Sequence, residues 1–585
     1  MGWSARGGSV RTGKAAALIL VLVAVLAACT STPPPPVVTS PVAQSATTPT
    51  AITPSQIVIG VDDIAGGYNP HNLADQSTIT TTLAQLLLPS VFRQSDDGQY
   101  KLDTTLMRSA EVTSQDPFTV TYEIRQDASW SDGAPIAVED FAYLADAMRN
   151  QTGVAEPAGY RLISQIQPGE GGKRVQVVFS KPYRGWQTLF SDLLPQHLLK
   201  DAPGGWQGAL QSGFPAYGGP FSIKQLDTAR GEIILERNER YWDKPAAVDQ
   251  LVLRRADKPG LAAALHSGND QFVMSRMDST GLKLLQDLGD LVTLHTVPGP
   301  RVAQVLLRPA GGPLTNDGVR AGVAALIDRN KLIDKGTAGG PSAGLRADAQ
   351  VLPPSAQGYA VTIPPSIASA NPGEAERLLK AAGYTKDAGT WRKDGKALSL
   401  VIAAPGQQEP YATIAKELAA ELVAQGVQVS TINPAPRDLY SGQLAMPVTR
   451  SGQNVPDGSG NVGVDIAVIP MPVNGDPATV LASTFGCRSG QQDGTSSTTP
   501  VVPANPAAFC DTSLQPAIDA ALAGTKPLPE ALSELEPKLW ATHVVLPLFQ
   551  AADTLAVGSG ISGLTPGPAM VGPFGSAVNW TRGGK

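Results

Sequence analysis

The hydrophobic and polar positions of residues 117–125, PFTVTYEIR, alternate one by one. Phe118, Val120, Tyr122 and Ile124 are hydrophobic, and the residues between them are polar. Because successive side chains of a strand point to opposite faces of a sheet, this alternation predicts a β-strand with one buried face.

The segment WSDGAPIAVEDF, residues 130–141, follows this strand and changes the pattern. It contains an Asp-Gly turn pair and a proline that ends strand pairing. Glu139 and Asp140 then place negative charge in the first turn of a helix, where the helix dipole favours it. Hydrophobic residues recur from there at helical spacing, at Val138, Phe141, Leu144, Ala145 and Met148. The segment therefore predicts a strand-turn-helix joint with Trp130 packed inside it and with structural roles for both acids.

The N-terminus has a different pattern, in which Arg6, Arg11 and Lys14 precede a hydrophobic run over residues 15–28. Fourteen helical residues reach only about 21 Å, which is shorter than the roughly 30 Å hydrocarbon core. Small residues directly before Cys29 are typical of a lipoprotein signal. We therefore expect residues 1–28 to be a signal peptide, cleaved before a lipidated Cys29 that anchors the protein to the cell membrane.

Residues 29–55 are rich in proline, serine and threonine and contain few large hydrophobic side chains. Such a segment buries too little hydrophobic surface to offset the entropy lost on folding, so we expect it to be a tether. The remaining chain, in a protein with 42% hydrophobic residues, is long enough to bury a core. The sequence thus predicts a globular body held at the extracytoplasmic face of the membrane.

Charge and cysteine content narrow the class of protein. The formal net charge is −6 and becomes −9 when the three basic residues of the signal peptide are removed, which argues against a nucleic-acid partner. Besides Cys29, only Cys487 and Cys510 remain. Outside the cytoplasm these two could form a disulfide, and two reduced, buried cysteines are the alternative.

Several motifs resemble, in order along the chain, the extracellular solute-binding proteins of family 5, which serve peptide and nickel ABC importers. The run from Trp130 to Phe141 resembles the family's Trp-Ser-Asp-Gly-x-Pro signature, with Ala137 where a threonine helix cap is usual. Further likenesses are GYNP (67–70), LLPQH (193–197), GGPF (218–221), ILERNERYWDKPAAVDQLVLR (234–254), NPGEAERLLKAAGY (371–384) and YATIAKELAAELVAQGVQV (411–429).

The resemblance implies an α/β, periplasmic-binding-protein-like fold of two lobes with a cleft between them. We expect lobe I with an extra subdomain at residues 56–298, lobe II at 299–546, and a return to lobe I at 547–585. The chain is expected to cross between lobes near residues 296–301 and 543–550, where a proline interrupts an extended hydrophobic segment.

The same motifs, with two late cysteines around a Ser/Thr/Pro-rich insert, closely resemble mycobacterial lipoproteins of this family. That likeness implies binding or regulation of a polar phosphatidylinositol mannoside in lipoarabinomannan biosynthesis, with mannosyltransferase machinery as a partner. The alternative is a peptide receptor that engages an ABC permease. Peptide-binding relatives anchor the peptide amino group with an aspartate whose position falls on Val473 here, although Asp465 or Asp476 could substitute.

The ligand-binding candidates are Tyr68, Asn69 and His71 after the first strand, Arg301 as a phosphate partner at a crossing, and Asp465. For the first three, packing or capping is the alternative, and for Arg301 it is a solvated surface position. Two glycine-rich motifs, residues 340–344 and 458–463, lack the strand and helix context of a nucleophile elbow or dinucleotide site. With no His-Glu-x-x-His motif either, we expect no enzyme activity, no metal and no cofactor.

Overall fold

The structure, a computed structural model, describes residues 55–64, 66–95, 97–448, 463–488 and 500–583. These residues form a mixed α/β fold around a ten-stranded sheet, with a separate four-stranded sheet and three smaller ones. The predicted signal peptide, Cys29 and the predicted tether up to residue 54 lie outside the described residues.

The strands are named in chain order. They are β1 (Gln56–Val61), β2 (Phe92–Gln94), β3 (Tyr100–Leu102), β4 (Met107–Gln115), β5 (Phe118–Ile124), β6 (Ile163–Pro168), β7 (Arg174–Phe179), β8 (Phe221–Asp227), β9 (Glu232–Arg237), β10 (Gln250–Arg255), β11 (Phe272–Ser275), β12 (Val292–Leu307), β13 (Thr385–Asp387), β14 (Thr390–Lys393), β15 (Lys396–Ala397), β16 (Ser399–Ala403), β17 (Gln428–Ile432), β18 (Ile466–Pro472), β19 (Val545–Gly558), β20 (Ile561–Ser562) and β21 (Thr581–Arg582).

The α-helices are named in the same way. They are α1 (Thr78–Leu87), α2 (Val138–Asn150), α3 (Ala158–Arg161), α4 (Gln196–Leu199), α5 (Gly205–Gly208), α6 (Lys258–His266), α7 (Ser279–Gln286), α8 (Asp317–Leu326), α9 (Arg329–Thr337), α10 (Pro365–Ala368), α11 (Pro372–Ala381), α12 (Tyr411–Ala424), α13 (Pro477–Phe485), α14 (Gln515–Leu522) and α15 (Leu528–Thr542). Short 3₁₀ turns include Leu73–Asp75 and Pro341–Gly344, and one π-helical turn spans Asp438–Gln443.

The ten strands of the large sheet lie in the order β17, β16, β18, β12, β19, β11, β1, β10, β9 and β8. The two longest, β12 and β19, pair antiparallel along most of their length, with an irregular register between Pro298 and Val302. β12 also pairs with β18, and β19 also pairs with β11. The chain therefore passes through β12 and again through β19 between an N-terminal region, residues 55–291, and a central region, residues 308–542. The predicted lobe boundaries stay predictions.

The joint predicted at residues 130–141 has the expected form. β5 buries Phe118, Val120, Tyr122 and Ile124, and α2 begins at Val138. The Trp130 ring is fully buried, as predicted. These residues form part of the four-stranded sheet β4-β5-β7-β6 and of the helix packed against it.

The central region has its own hydrophobic cluster around β16, β18 and α12, for example Leu400, Val468 and Leu418. Asn371 caps α11, because its Oδ1 accepts a hydrogen bond from Glu374 N at 3.1 Å. The Glu374 carboxylate binds Arg377 on the exposed helix surface.

Cys487 and Cys510 are joined by a disulfide, with their Cα atoms 4.8 Å apart. The backbone N–H of Cys487 also donates to Gln515 Oε1, the first residue of α14, at 2.7 Å. The disulfide therefore fixes the end of α13 next to α14, on both sides of a segment of which residues 489–499 lie outside the described residues.

Candidate functional site

The N-terminal and central regions meet along an interface built from residues far apart in the chain. Tyr100 OH donates to Asn474 O at 2.9 Å, and the Tyr183 and Thr479 hydroxyl oxygens are 2.7 Å apart. Gln408 Nε2 donates to Ala74 O at 3.1 Å. Because these contacts join two regions connected through β12 and β19, the pockets along this interface are the candidate site.

A pocket of about 120 Å³, called here the interface pocket, is lined by both regions and by the crossing strand at Pro300. Its polar lining residues are His71, Gln76, Thr80, Thr81, Glu156, Tyr160, Tyr183, Thr188, Ser191, Asp192, Asn474 and Thr479. None of the residues that line it is a lysine or arginine. A second pocket of about 50 Å³ shares Glu156 and Pro472 with the first and is bordered by Arg161 and Arg488.

Two carboxyl groups line the interface pocket. Glu156 Oε1 accepts a hydrogen bond from Gly475 N at 3.3 Å across the interface. Burial, with a smaller contribution from Asp476, raises the pKa of Glu156 to about 7. Burial also raises the pKa of Asp192, although the charges of His71 and Arg93 oppose this. The pocket is therefore rich in hydrogen-bond acceptors and poor in positive charge.

The three candidates after β1 differ in their positions. His71 lines the interface pocket, and its Nε2 is 2.9 Å from Asp192 O; burial lowers the pKa of the His71 imidazole. Asn69 and Tyr68 are buried behind it. Asn69 Oδ1 accepts from His71 N at 3.0 Å, while Asn69 Nδ2 and Tyr68 OH have no partner among the described residues.

Arg301 lies on β12, one residue beyond the pocket-lining Pro300, and is only 8% exposed. Its Nη2 is 3.4 Å from Thr78 Oγ1, and Thr78 Oγ1 donates to Asp553 Oδ2 at 2.8 Å. The Arg301 Nη1 atom has no hydrogen-bond partner within the described part of the chain. Arg301 therefore has a buried guanidinium with an unpaired donor atom among the described residues. It is not the solvated surface arginine that was considered as the alternative.

Asp465 lies away from these groups. Its Oδ2 accepts from Val401 N at 2.8 Å, and its backbone oxygen accepts from Arg308 N at 2.8 Å. The Arg308 guanidinium donates to three backbone carbonyls, those of Leu444, Val464 and Pro506. Asp465 thus contacts backbone next to β16 and β18, and the structure does not bring it together with His71 and Arg301.

Val473 is buried, and its N–H donates to Pro300 O at 2.9 Å. Asp476 caps α13 by accepting from Thr479 N at 3.1 Å. An aspartate anchor is therefore missing at position 473, and the alternative Asp476 already has a capping role.

The pocket residues Glu156, Tyr160, Tyr183, Asp192 and Thr479 were not predicted from the sequence. Glu156, Tyr183 and Asp192 lie in loops without hydrophobic periodicity, and the partners of Glu156 and Tyr183 across the interface are 319 and 296 residues away.

Two further observations concern the described residues. No described helix is both long and hydrophobic enough to cross a membrane. In the same residues, no group of three or more His, Cys, Asp or Glu side chains could hold a metal ion.

Comparisons with known proteins agree with this architecture. The family model for bacterial extracellular solute-binding proteins, family 5 (middle region), matches residues 101–463. The chain is 33% identical to a Mycobacterium tuberculosis protein named probable monoacyl phosphatidylinositol tetramannoside-binding protein LpqW, over 93% of this chain and 95% of that protein. It is 26% identical to the M. tuberculosis oligopeptide-binding protein OppA, over 58% of each chain.

Among solved structures, the fold is similar to the oligopeptide-binding protein AppA from Bacillus subtilis, solved with a nonapeptide. The TM-score is 0.69 at 16% identity, covering 91% of this chain and all of AppA. That likeness shows the fold, and the sequence match shows the family. The chain belongs to the bacterial extracellular solute-binding proteins of family 5.

Proposed function

We propose that this protein is a membrane-anchored, extracytoplasmic solute-binding lipoprotein that binds a polar phosphatidylinositol mannoside and thereby regulates lipoarabinomannan biosynthesis. The observation that carries this proposal is the 33% identity, over 93% of the chain, to a protein named for binding a phosphatidylinositol tetramannoside. The lipid anchor would be attached at Cys29, and mannosyltransferase machinery at the same membrane would be the partner. The role is binding, without catalysis.

The chemistry of the interface pocket supports a sugar ligand. Sugar hydroxyls both donate and accept hydrogen bonds, and the pocket offers tyrosine, threonine and serine hydroxyls that can do the same. The carboxyl groups of Glu156 and Asp192 can accept from sugar hydroxyls, and charge-assisted hydrogen bonds of this kind are stronger than neutral ones. A mannose ring therefore matches this lining better than an anionic group does.

The phosphate of the lipid needs positive charge, which the pocket lining lacks. Arg301 lies beside the pocket, with a buried Nη1 that has no partner among the described residues. A buried guanidinium N–H group without an acceptor is unfavourable, and a phosphate oxygen would satisfy the Nη1 group. Asp553 lies nearby and reduces the net charge, so we assign Arg301 the role of orienting the phosphate.

The size of the pocket bears on how a ligand would bind. Pockets for ligands of drug size usually have about 300–1,000 Å³, whereas this pocket has about 120 Å³. A mannoside headgroup therefore requires the two regions to separate. Hinge bending at the irregular register of β12 and β19 would provide that motion.

A specific observation favours the alternative, a peptide-binding receptor of an ABC importer. Glu156 reaches across the interface to Gly475, two residues from Val473, where peptide-binding relatives have their anchoring aspartate. Its carboxyl group could hold a peptide ammonium in place of that aspartate. In this case an ABC permease would be the partner, and Glu156 would select peptides by binding their amino group.

Titration calorimetry of the mature protein separates the two proposals. We expect binding of a purified phosphatidylinositol mannoside fraction and none of a tri- to pentapeptide mixture. Arg301→Gln should weaken lipid binding by about 10–100-fold, because a hydrogen bond to a charged group contributes roughly 1.5–3 kcal/mol. The matched control is Arg392→Gln, which removes an exposed guanidinium on β14 and should leave binding unchanged.

The peptide experiment uses two more variants. If the cleft holds no peptide, Val473→Asp should be required before peptide affinity appears. Micromolar peptide binding by the wild type, about −8 kcal/mol, that is abolished by Glu156→Gln and accompanied by no lipid signal would overturn the mannoside proposal in favour of the importer receptor.

A further inference from the structure

Glu156 occupies an unusual position at the interface. It directly precedes Pro157 and α3 in the N-terminal region, and it lines both pockets. Its only described hydrogen bond comes from Gly475 N in the central region, at 3.3 Å. The Glu156 carboxyl group lies so close to Gly475 that a Cβ atom added to this glycine would be 2.1 Å from Glu156 Oε2. The carboxyl group is therefore held between the two regions.

The charged and titratable groups around Glu156 come from several elements. Asp476, directly before α13, and the Tyr100 hydroxyl on β3 both interact electrostatically with Glu156. Asp476 also interacts with Tyr100. The groups that share its two pockets are His71, Tyr160, Arg161, Tyr183, Asp192, Tyr440 and Arg488. Arg161 Nη1 and Nη2 lie 3.3 Å from Ala504 O, and Arg488 Nη2 lies 3.4 Å from Arg149 O. Within the described residues, the principal charge acting on Glu156 is the negative charge of Asp476.

We propose that Glu156 couples closure of the interface to proton uptake: the protonated side chain is compatible with the closed arrangement, whereas the ionised side chain favours separation of the two regions. The reason is that closure leaves the carboxyl group only partly accessible to bulk water and places it near another acid. Separation would return it to water, where the ionised form is well solvated.

The direction of the pH effect follows from linkage. In the closed arrangement the pKa of Glu156 is raised to about 7, and in the open one we expect a value near that of an ordinary glutamate, about 4.3. A group with a raised pKa in the closed state stabilises closure below its open-state pKa and loses that contribution as the pH rises through 7. Between pH 6 and 8 the ratio of closed to open protein should fall about tenfold.

Asp75 is another carboxyl group with a raised pKa at this interface, as are Asp192 and Asp476, and its contribution must be separated from that of Glu156. Burial raises the pKa of Asp75 to about 6, although Arg437 opposes the shift. Protonation of Asp75 would therefore change the closed-to-open ratio by no more than about twofold between pH 6 and 8. A larger change over this range would have to come from another group.

The experiment measures the distance between spin labels at Ala142→Cys on α2 and Lys416→Cys on α12, two exposed positions on opposite regions. The ratio of closed to open distances in the otherwise wild-type protein should fall about tenfold from pH 6 to 8. With Glu156→Gln the closed form should predominate at both pH values, with at most about a twofold change. Glu111→Gln, an exposed glutamate on β4, is the matched control and should behave like the wild type.

Circular dichroism and thermal unfolding of Glu156→Gln guard against misfolding of that variant. A pH-independent distance distribution in the wild type would overturn the proposal. So would an unchanged pH response in a folded Glu156→Gln protein.

Discussion

Asp75 and Arg437 form a salt bridge across the interface, with 2.6 Å between Asp75 Oδ2 and Arg437 Nη2. Asp75 is almost completely buried, and the same oxygen accepts from Asn69 N at 3.2 Å. The ion pair joins the 3₁₀ turn that precedes α1 to the π-helical turn of the central region. It thus connects a candidate ligand-binding segment to the opposite side of the cleft.

Replacing Arg437 with glutamine should weaken this connection. The substitution leaves a buried carboxylate without its cation, which costs roughly 3–5 kcal/mol for a fully buried pair. Because the proposed opening of the interface would rehydrate Asp75, we expect about 2 kcal/mol here, visible as a larger radius of gyration in X-ray scattering. The effect should be smaller at pH 5 than at pH 7.5, because Asp75, with a pKa of about 6, is protonated at pH 5.

The control for this prediction is Arg392→Gln, which removes the exposed partner of Asp387. Exposed ion pairs contribute about 0–1 kcal/mol, so the radius of gyration should not change. An Arg437→Gln protein as compact as the wild type at pH 7.5 would contradict the assigned role of the pair.

Asp140 should be more important for stability than its neighbour Glu139. Asp140 is buried, and its carboxylate accepts from Ala137 N at 3.0 Å, Gln196 N at 3.0 Å and Trp130 Nε1 at 3.2 Å. Asp140→Ala leaves these donors without an acceptor, at about 1–3 kcal/mol for each group that stays buried. We expect a loss of at least about 2 kcal/mol in urea unfolding.

Glu139→Ala is the matched comparison, because Glu139 is exposed in the same first turn of α2. It loses only a favourable interaction with the helix dipole, about 0.3–1 kcal/mol. Equal unfolding midpoints for the two variants would show that the hydrogen bonds of Asp140 contribute little.

The disulfide should stabilise the central region. A cross-link that closes a loop of this length is expected to contribute about 3 kcal/mol by restricting the unfolded chain. The double variant Cys487→Ser, Cys510→Ser should therefore unfold at a lower urea concentration than the wild type. A reductant should lower the midpoint of the wild type and leave that of the variant unchanged. Complete thiol labelling of the native, unreduced protein would contradict the disulfide.

Cys29 lies outside the described residues, and its role is predicted from the sequence. Cys29→Ala should move the protein from the membrane fraction to the soluble fraction without changing its thermal unfolding, because the predicted tether separates the anchor from the globular body. The double variant without Cys487 and Cys510 serves as a control and should remain in the membrane fraction. Retention of Cys29→Ala in the membrane after a carbonate wash would refute the lipid anchor.

The local elements could be predicted because their signals are local. The alternation in β5 and the helical spacing after Val138 each reflect one buried face, and Gly426 after α12 has a φ of +92°, as a helix-ending glycine should. The family motifs also lie within short segments, so their order along the chain was sufficient to predict the α/β fold. Asp140 was placed correctly in its helix, but its bond to Gln196 could not be predicted from spacing.

The sequence by itself determined the periodic elements, the two late cysteines available for a bond, the lipidation motif and the family resemblance. Tertiary structure decided which polar groups meet at the cleft. Glu156 and Gly475 are 319 residues apart, and Asp75 and Arg437 are 362 residues apart. Hydrophobic periodicity specifies only which face of an element is buried. The pairing of β12 and β19 decides which loops face each other, and it thereby places Glu156 and Arg301 beside one pocket while leaving Asp465 away from it.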